Sequence, residues 1–248
     1  MRTKALILAV LASAAVAATA GAAEPRAPGL VYTYYAGVGY RFQPLLSFGS
    51  LNTAVSAQDK AATRRLADAL LAHAVRRGDA LYWEYDFSFA GGPAPWTSGF
   101  TQAVAAKALA RSAVLLGDRR LAAAADAAFR GLRGTLLMPL GGGSWVREYG
   151  YTDQAILNAQ LESILALDRY AALRGTPVAR RVARDLEVAA RTLLPRFEVG
   201  CWGRYQLGGA PAVLKYQTYH VELLRRLSLR HAEPIWRETY LRWKSCLP

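Results

Sequence analysis

Seven stretches of the chain, 61–76, 100–116, 119–132, 152–173, 177–193, 219–228 and 235–243, place apolar residues three to four positions apart and follow one another in series. A helix with an apolar stripe must bury it against a neighbour, and short breaks make consecutive helices antiparallel partners. The breaks carry glycine and proline, at 91–93, 117–118, 141–143, 175–177 and 208–211. Strand signals are confined to the front, at 31–35 and 81–89. No strand–helix alternation is present, so a parallel sheet is excluded. The expectation is a mainly α fold with a few short β segments near the N-terminus.

The breaks alternate in character. Aromatic and polar side chains fill the longer ones: Tyr82-Trp83-Glu84-Tyr85-Asp86, Pro95-Trp96-Thr97-Ser98-Gly99, Ser144-Trp145-Val146-Arg147-Glu148-Tyr149 and Cys201-Trp202-Gly203-Arg204-Tyr205. The other connections are short and bland. When hairpins of helices close into a ring, every second loop falls on the same end, so these segments converge on one rim. The pattern predicts an (α/α) toroid or barrel of helical hairpins with an aromatic, polar mouth.

Residues 1–22 differ from the rest. Arg2 and Lys4 precede an alanine-rich apolar run and the small residues Ala20-Gly21-Ala22-Ala23, the pattern of a cleaved secretory signal peptide. The expected layout is a signal peptide at 1–22 and a single domain at 23–248, exported to the periplasm or outside the cell. Export disfavours nucleic acid as a partner, and no stable membrane insertion is expected after cleavage. In that compartment Cys201 and Cys246 could pair. Neither has the spacing of a zinc or redox motif, and no metal site is legible. The formal charge is +13, from 31 basic and 18 acidic residues, and it falls to +11 without the leader's two cations. A polyanion is the partner this suggests. Paired arginines such as Arg64-Arg65 and Arg180-Arg181 read first as solvated helix faces, which weakens the inference from charge alone.

Six segments in order, Gly39-Tyr40-Arg41-Phe42-Gln43-Pro44, Trp96-Thr97-Ser98-Gly99-Phe100-Thr101-Gln102, Trp145-Val146-Arg147-Glu148-Tyr149, Ile156-Leu157-Asn158, Trp202-Gly203-Arg204-Tyr205-Gln206-Leu207 and Tyr219-His220, resemble the C-terminal domain of D-glucuronyl C5-epimerases. These enzymes invert glucuronate to iduronate within heparan-type chains. The resemblance implies an isomerase acting on an acidic, uronate-containing polysaccharide without a dissociable cofactor, and a homodimer as one state of the chain. It departs at two positions: Gly208 stands where the family has an arginine, and Leu223 where it has a second histidine.

Inversion at C5 removes a proton beside a carboxylate and returns one to the opposite face, so two acid/base groups must flank the ring. The carboxylate must also be neutralised as charge builds up on it. The resemblance makes Tyr149 one proton-transfer residue and Tyr219 or Tyr205 the other, with Glu148 as an alternative or assisting base. It gives Asn158 a substrate contact. A tyrosine can act on either side if cations lower its pKa, and Arg147 and Arg204, close in sequence to candidate tyrosines, suit a carboxylate clamp. Trp96, Gln102 and His220 complete the expected substrate site. Each residue has a plainer reading: the tryptophans as ring packing, His220 as a core histidine, Ser98 as a helix cap and the triglycine as a flexible turn. Two other functions use the same residues. A polysaccharide lyase shares the first proton abstraction, and a non-catalytic protein could bind acidic glycan through its charge and aromatic rim.

Overall fold

The computed structural model describes residues 29–248, so the leader expected at 1–22 lies outside the described residues. A hairpin of β1 (Tyr32–Tyr35) and β2 (Gly39–Phe42) enters α1 (Pro44–Ser56) and α2 (Lys60–Ala72). The strands β3 (Val75–Arg77), β4 (Ala80–Tyr82), β5 (Glu84–Tyr85) and β6 (Trp96–Thr97) then precede α3 (Gly99–Leu116) and α4 (Arg119–Thr135). The hairpin β7 (Leu137–Leu140) and β8 (Gly143–Val146) precedes α5 (Leu157–Arg174) and α6 (Pro177–Phe197). A last one, β9 (Glu198–Val199) and β10 (Trp202–Gly203), precedes α7 (Leu214–Ser228) and α8 (Pro234–Lys244).

Each odd-numbered helix pairs with its successor as a hairpin, and α1, α3, α5 and α7 pack side by side as an inner row. The outer helices back them. Among the described residues no comparable packing joins α7 to α1, so the inner row forms an arc of four hairpins. Sequence patterning follows from this layering. The inner α3 buries 13 of its 18 residues and is apolar nearly all round, whereas the outer α4 buries 8 of 17 along one stripe. The inner α1 buries 6 of its 13 residues along one stripe, but Ser47 lies on that stripe and Leu46 off it, which is why periodicity does not reveal it.

The mainly α toroid of hairpins matches the expectation, but strands are not confined to the front. A β-hairpin precedes each inner helix, with strands of two to four residues, too short to show alternation. Gly141 and Gly142, read as a flexible turn, form the two-residue loop of the β7–β8 hairpin at φ of 62° and 76°. That geometry favours glycine at both places.

One device repeats. The fourth residue of α3, α5 and α7 is a buried glutamine that pins the strand in front of its helix. Gln102 donates to the carbonyls of Leu81 and Ala128, at 2.7 and 3.2 Å. Gln160 accepts from Val146 N at 2.8 Å and donates to the carbonyls of Ser144 and Leu186. Gln217 accepts from Gly203 N at 2.9 Å. Each satisfies backbone groups that a short hairpin would otherwise leave buried and unpaired.

Opposite the mouth, His231 in the α7–α8 connection lies between Asp168 of α5, at 2.9 Å, and Glu187 of α6, at 3.2 Å. Hydrogen bonds to Asp168 and then Glu187 raise its pKa to about 10, so it is an imidazolium tie. Glu187, His231 and Glu233 bring ligand atoms within 4.8 Å of one another, yet both ring nitrogens are already engaged by carboxylates. A raised histidine pKa stabilises the fold fully below the unfolded value near 6.5 and loses that contribution as pH rises toward 10. The full shift corresponds to about 5 kcal/mol. Because the ring is only half-buried and solvent screens its partners, wild-type protein is expected to lose roughly 2 kcal/mol across that window relative to His231→Gln, seen as converging urea midpoints.

Candidate active site

The rim is laced from backbone. Gly99 N donates to the Arg147 carbonyl at 2.7 Å, Gly150 N to Thr97 O at 2.8 Å, and Arg147 N to Leu136 O at 2.9 Å. A Cβ at Gly99 would stand 2.6 Å from Val146 Cγ2 and 2.8 Å from the Arg147 and Leu136 carbonyl oxygens, so only glycine lets these segments meet. Leu157 N donates to Tyr205 O and Leu207 N to Ala155 O, both at 3.0 Å. The segments bearing Glu148, Tyr149 and Tyr205 are thereby fixed to the N-terminal ends of α3 and α5.

Glu148 is partly buried, and its Oε2 is sealed from solvent with no hydrogen-bond partner. Burial pushes its carboxyl up to about 8, because a charge there has lost water without gaining a donor. Six phenols lie within its electrostatic reach: Tyr85, Tyr149, Tyr151, Tyr205, Tyr216 and Tyr219. Burial is the main cause that raises each of them, and the Glu148 carboxyl raises them further. The Tyr205 phenol is electrostatically coupled to those of Tyr149 and Tyr216. Tyr205 and Tyr216 also pack ring to ring at 4.5 Å. Tyr219 stands on the same face of α7 as Tyr216 and lies within electrostatic reach of the Glu162 carboxylate on α5.

The structure therefore gathers Glu148, Tyr149, Tyr205 and Tyr219, the four residues expected to carry the chemistry. Asn158, in the first turn of α5, is buried with its Oδ1 unpartnered at the mouth end. The other expected contacts are placed differently. Arg147 is paired with Asp153 at 2.7 Å, and the Arg204 guanidinium is bound to the Gly209 carbonyl. Neither cation appears among the causes that shift the Tyr149 or Tyr205 phenols, which rise rather than fall. Gln102 is the fully buried pin between α3, β4 and α4. His220 is fully buried beside Trp243, with centroids 6.2 Å apart and neither ring nitrogen bonded, and burial pushes it down to about 3. It is one residue from Tyr219, and a 100° step around α7 turns it to the outer layer. Trp96 stacks on Tyr85 at 4.0 Å in an aromatic cluster with Phe87 and Tyr149, its indole N–H given to the Phe87 carbonyl.

Tyr85, Tyr151 and Tyr216 were not picked out from sequence. The Tyr216 signal was present: it stands three residues before Tyr219, but starting the helix at 219 instead of Leu214 hid their shared face.

Solved structures similar to the chain share its fold. Endoglucanase Cel10, a family 8 glycosyl hydrolase from Klebsiella pneumoniae, superposes with a TM-score of 0.64 at 15% identity over 89% of this chain and 74% of its own. A GH8 endo-β-1,4-glucanase from an Achatina fulica gut metagenomic library gives 0.64 at 16% identity over 90% and 74%. The endo-β-1,4-glucanase CMCax from Acetobacter xylinum gives 0.55 at 14% over 79% and 71%. Among curated protein sequences none matches at a significant level. The family comparison is specific where these are general: residues 77–245 match the D-glucuronyl C5-epimerase C-terminus, and the chain belongs to that family.

Proposed function

We propose that this chain inverts C5 of uronate residues in an acidic polysaccharide by proton removal and return. One observation carries the reading: a carboxyl with a sealed, unpartnered oxygen and a pKa near 8 sits at the rim among six phenols. Ionised, Glu148 is a strong enough base to take the C5 proton. The electron pair left at C5 flows into the uronate carboxylate. A neutral phenol of the Tyr149–Tyr205 pair then gives its proton to the opposite face, and solvent returns protons to their starting places. The role expected for a cation-activated tyrosine base thus passes to Glu148, and the tyrosines serve as acids because burial keeps them protonated.

The test is product analysis after incubation with glucuronate-containing chains. Inverted C5 stereochemistry at unchanged chain length is the expected result. An unsaturated, ultraviolet-absorbing uronate and shortened chains would replace this reading with a lyase; salt-sensitive binding without turnover would replace it with a glycan-binding protein. A carboxyl pKa near 8 leaves about a tenth of Glu148 ionised at pH 7. The rate of C5 proton removal is therefore expected to climb with pH and level off above about 8, measured as a pH profile of initial inversion rate.

We also propose that the protein works outside the cytoplasm. The disulfide between Cys201 and Cys246 supports export, because such bonds persist in oxidising compartments. No helix among the described residues is long and apolar enough to cross a membrane.

A further inference from the structure

Beneath the tyrosines lies a charged group that the proton-transfer scheme leaves unused. Glu162 on α5 accepts from Lys107 Nζ of α3 at 2.7 Å and from Arg226 Nη1 of α7 at 2.9 Å, and the Tyr219 phenol lies within its electrostatic reach. Two cations share one carboxylate, so the group carries net positive charge. Its bridges run between three successive inner helices, which places it on the concave side of the arc. Glu162 lies five residues into α5 and Lys107 eight into α3, about 8 and 12 Å below the mouth at 1.5 Å per residue. Arg226 is deeper on α7, but helical side chains lean toward the N-terminus, here the mouth.

We propose that Lys107 and Arg226 form the floor of the substrate site and bind the carboxylate of the uronate whose C5 reacts. This deepens the proposed function and rests on it. Proton abstraction beside a carboxylate needs a fixed cation where negative charge accumulates. The rim arginines expected to supply it each hold a local partner, Arg147 the Asp153 carboxylate and Arg204 a backbone carbonyl, and of their remaining donors the Arg147 Nε is buried. Lys107 and Arg226 keep donors beyond those spent on Glu162: an ammonium has three N–H groups and a guanidinium five. Glu162 holds both cations in place when the site is empty. Tyr219, within electrostatic reach of both Glu162 and Glu148, lies between the floor and the rim phenols, so a bound carboxylate would hold its C5 toward the rim.

The test compares a heparosan hexasaccharide with its carboxyl-reduced, neutral counterpart by titration calorimetry. Wild-type protein is expected to prefer the acidic form. Lys107→Met and Arg226→Met should each weaken its binding about tenfold or more and leave the neutral sugar within twofold, whereas Lys107→Arg should restore most of the preference. Lys107→Met leaves Glu162 paired with Arg226 and so strands no charge, and Lys107→Gln, which keeps a polar head in that place, secures the result if the Met variant folds poorly. Wild-type binding and C5 turnover with an unchanged preference in both Met variants would overturn the clamp alone. A wild-type protein with no affinity for any uronate oligosaccharide would overturn the clamp and the proposed function together.

Discussion

Replacing Glu148 by Gln is expected to lower C5 inversion by 10² to 10⁴-fold, roughly the contribution of a positioned general base, and at the same time to make the folded chain more stable at pH 8. The two effects have one cause. A carboxyl whose pKa rises from 4.5 to about 8 on folding keeps its proton in the folded state while the unfolded chain has released it. Between those values the unfolded state binds fewer protons, so stability falls as pH rises. The amide has no proton to hold and escapes this loss. By pH 8 the variant should lead the wild type by up to about 4 kcal/mol, with little difference at pH 4.5. Thermal melts at the two pH values, run beside the inversion assay, check both halves. A loss of activity with no stability gain at pH 8 would mean that Glu148 is ionised in the resting site.

Cys201→Ser with Cys246→Ser, or a strong reductant, is expected to cost about 3 to 4 kcal/mol and lower Tm by about 10 °C. The bridge closes a loop of 45 residues, which comprises α7, α8 and the connections around them. Its first cysteine lies in the turn between β9 and β10, four residues before Tyr205. Opening it should therefore lower turnover as well as stability, and melts with and without reductant compared with the initial inversion rate would show both. Equal melting temperatures would show that packing of Trp236 and Trp243 alone holds α8 in place.

What could be read from sequence follows the physics of burial. Outer helices such as α4 and α6 bury one stripe, so their period is plain and their ends fall within a few residues of the expected ones. Of the inner helices, α3 and α5 are covered on most sides, whereas α1 and α7 bury one face on which polar Ser47, Gln217 and His220 stand and so blur the period. α1 was missed, and α5 and α7 begin at Leu157 and Leu214 where periodicity placed them at 152 and 219. The alternation of long aromatic loops with short bland ones did place the mouth, because loop end and helix direction are coupled in any row of hairpins. Partners were harder. Arg147 and Arg204 looked suited to a substrate because they stand beside tyrosines, but local partners, an aspartate six residues on and a carbonyl five residues on, reach them first. Gln102 looked like a substrate contact because it belongs to a motif; only its equivalence to Gln160 and Gln217 exposes it as a pin for the hairpin. Lys107, Glu162 and Arg226 meet across three helices separated by 55 and 64 positions, which no local pattern can reveal.

Incubation of the wild-type protein with a uronate-containing polysaccharide in deuterated water, followed by proton NMR of the C5 position, tests the central claim most directly. The account predicts that deuterium enters C5 of both epimers with the chain length unchanged, and that Glu148→Gln stops the label from entering. Unlabelled C5 across glucuronate- and mannuronate-type chains, under conditions where the protein binds them, would contradict it.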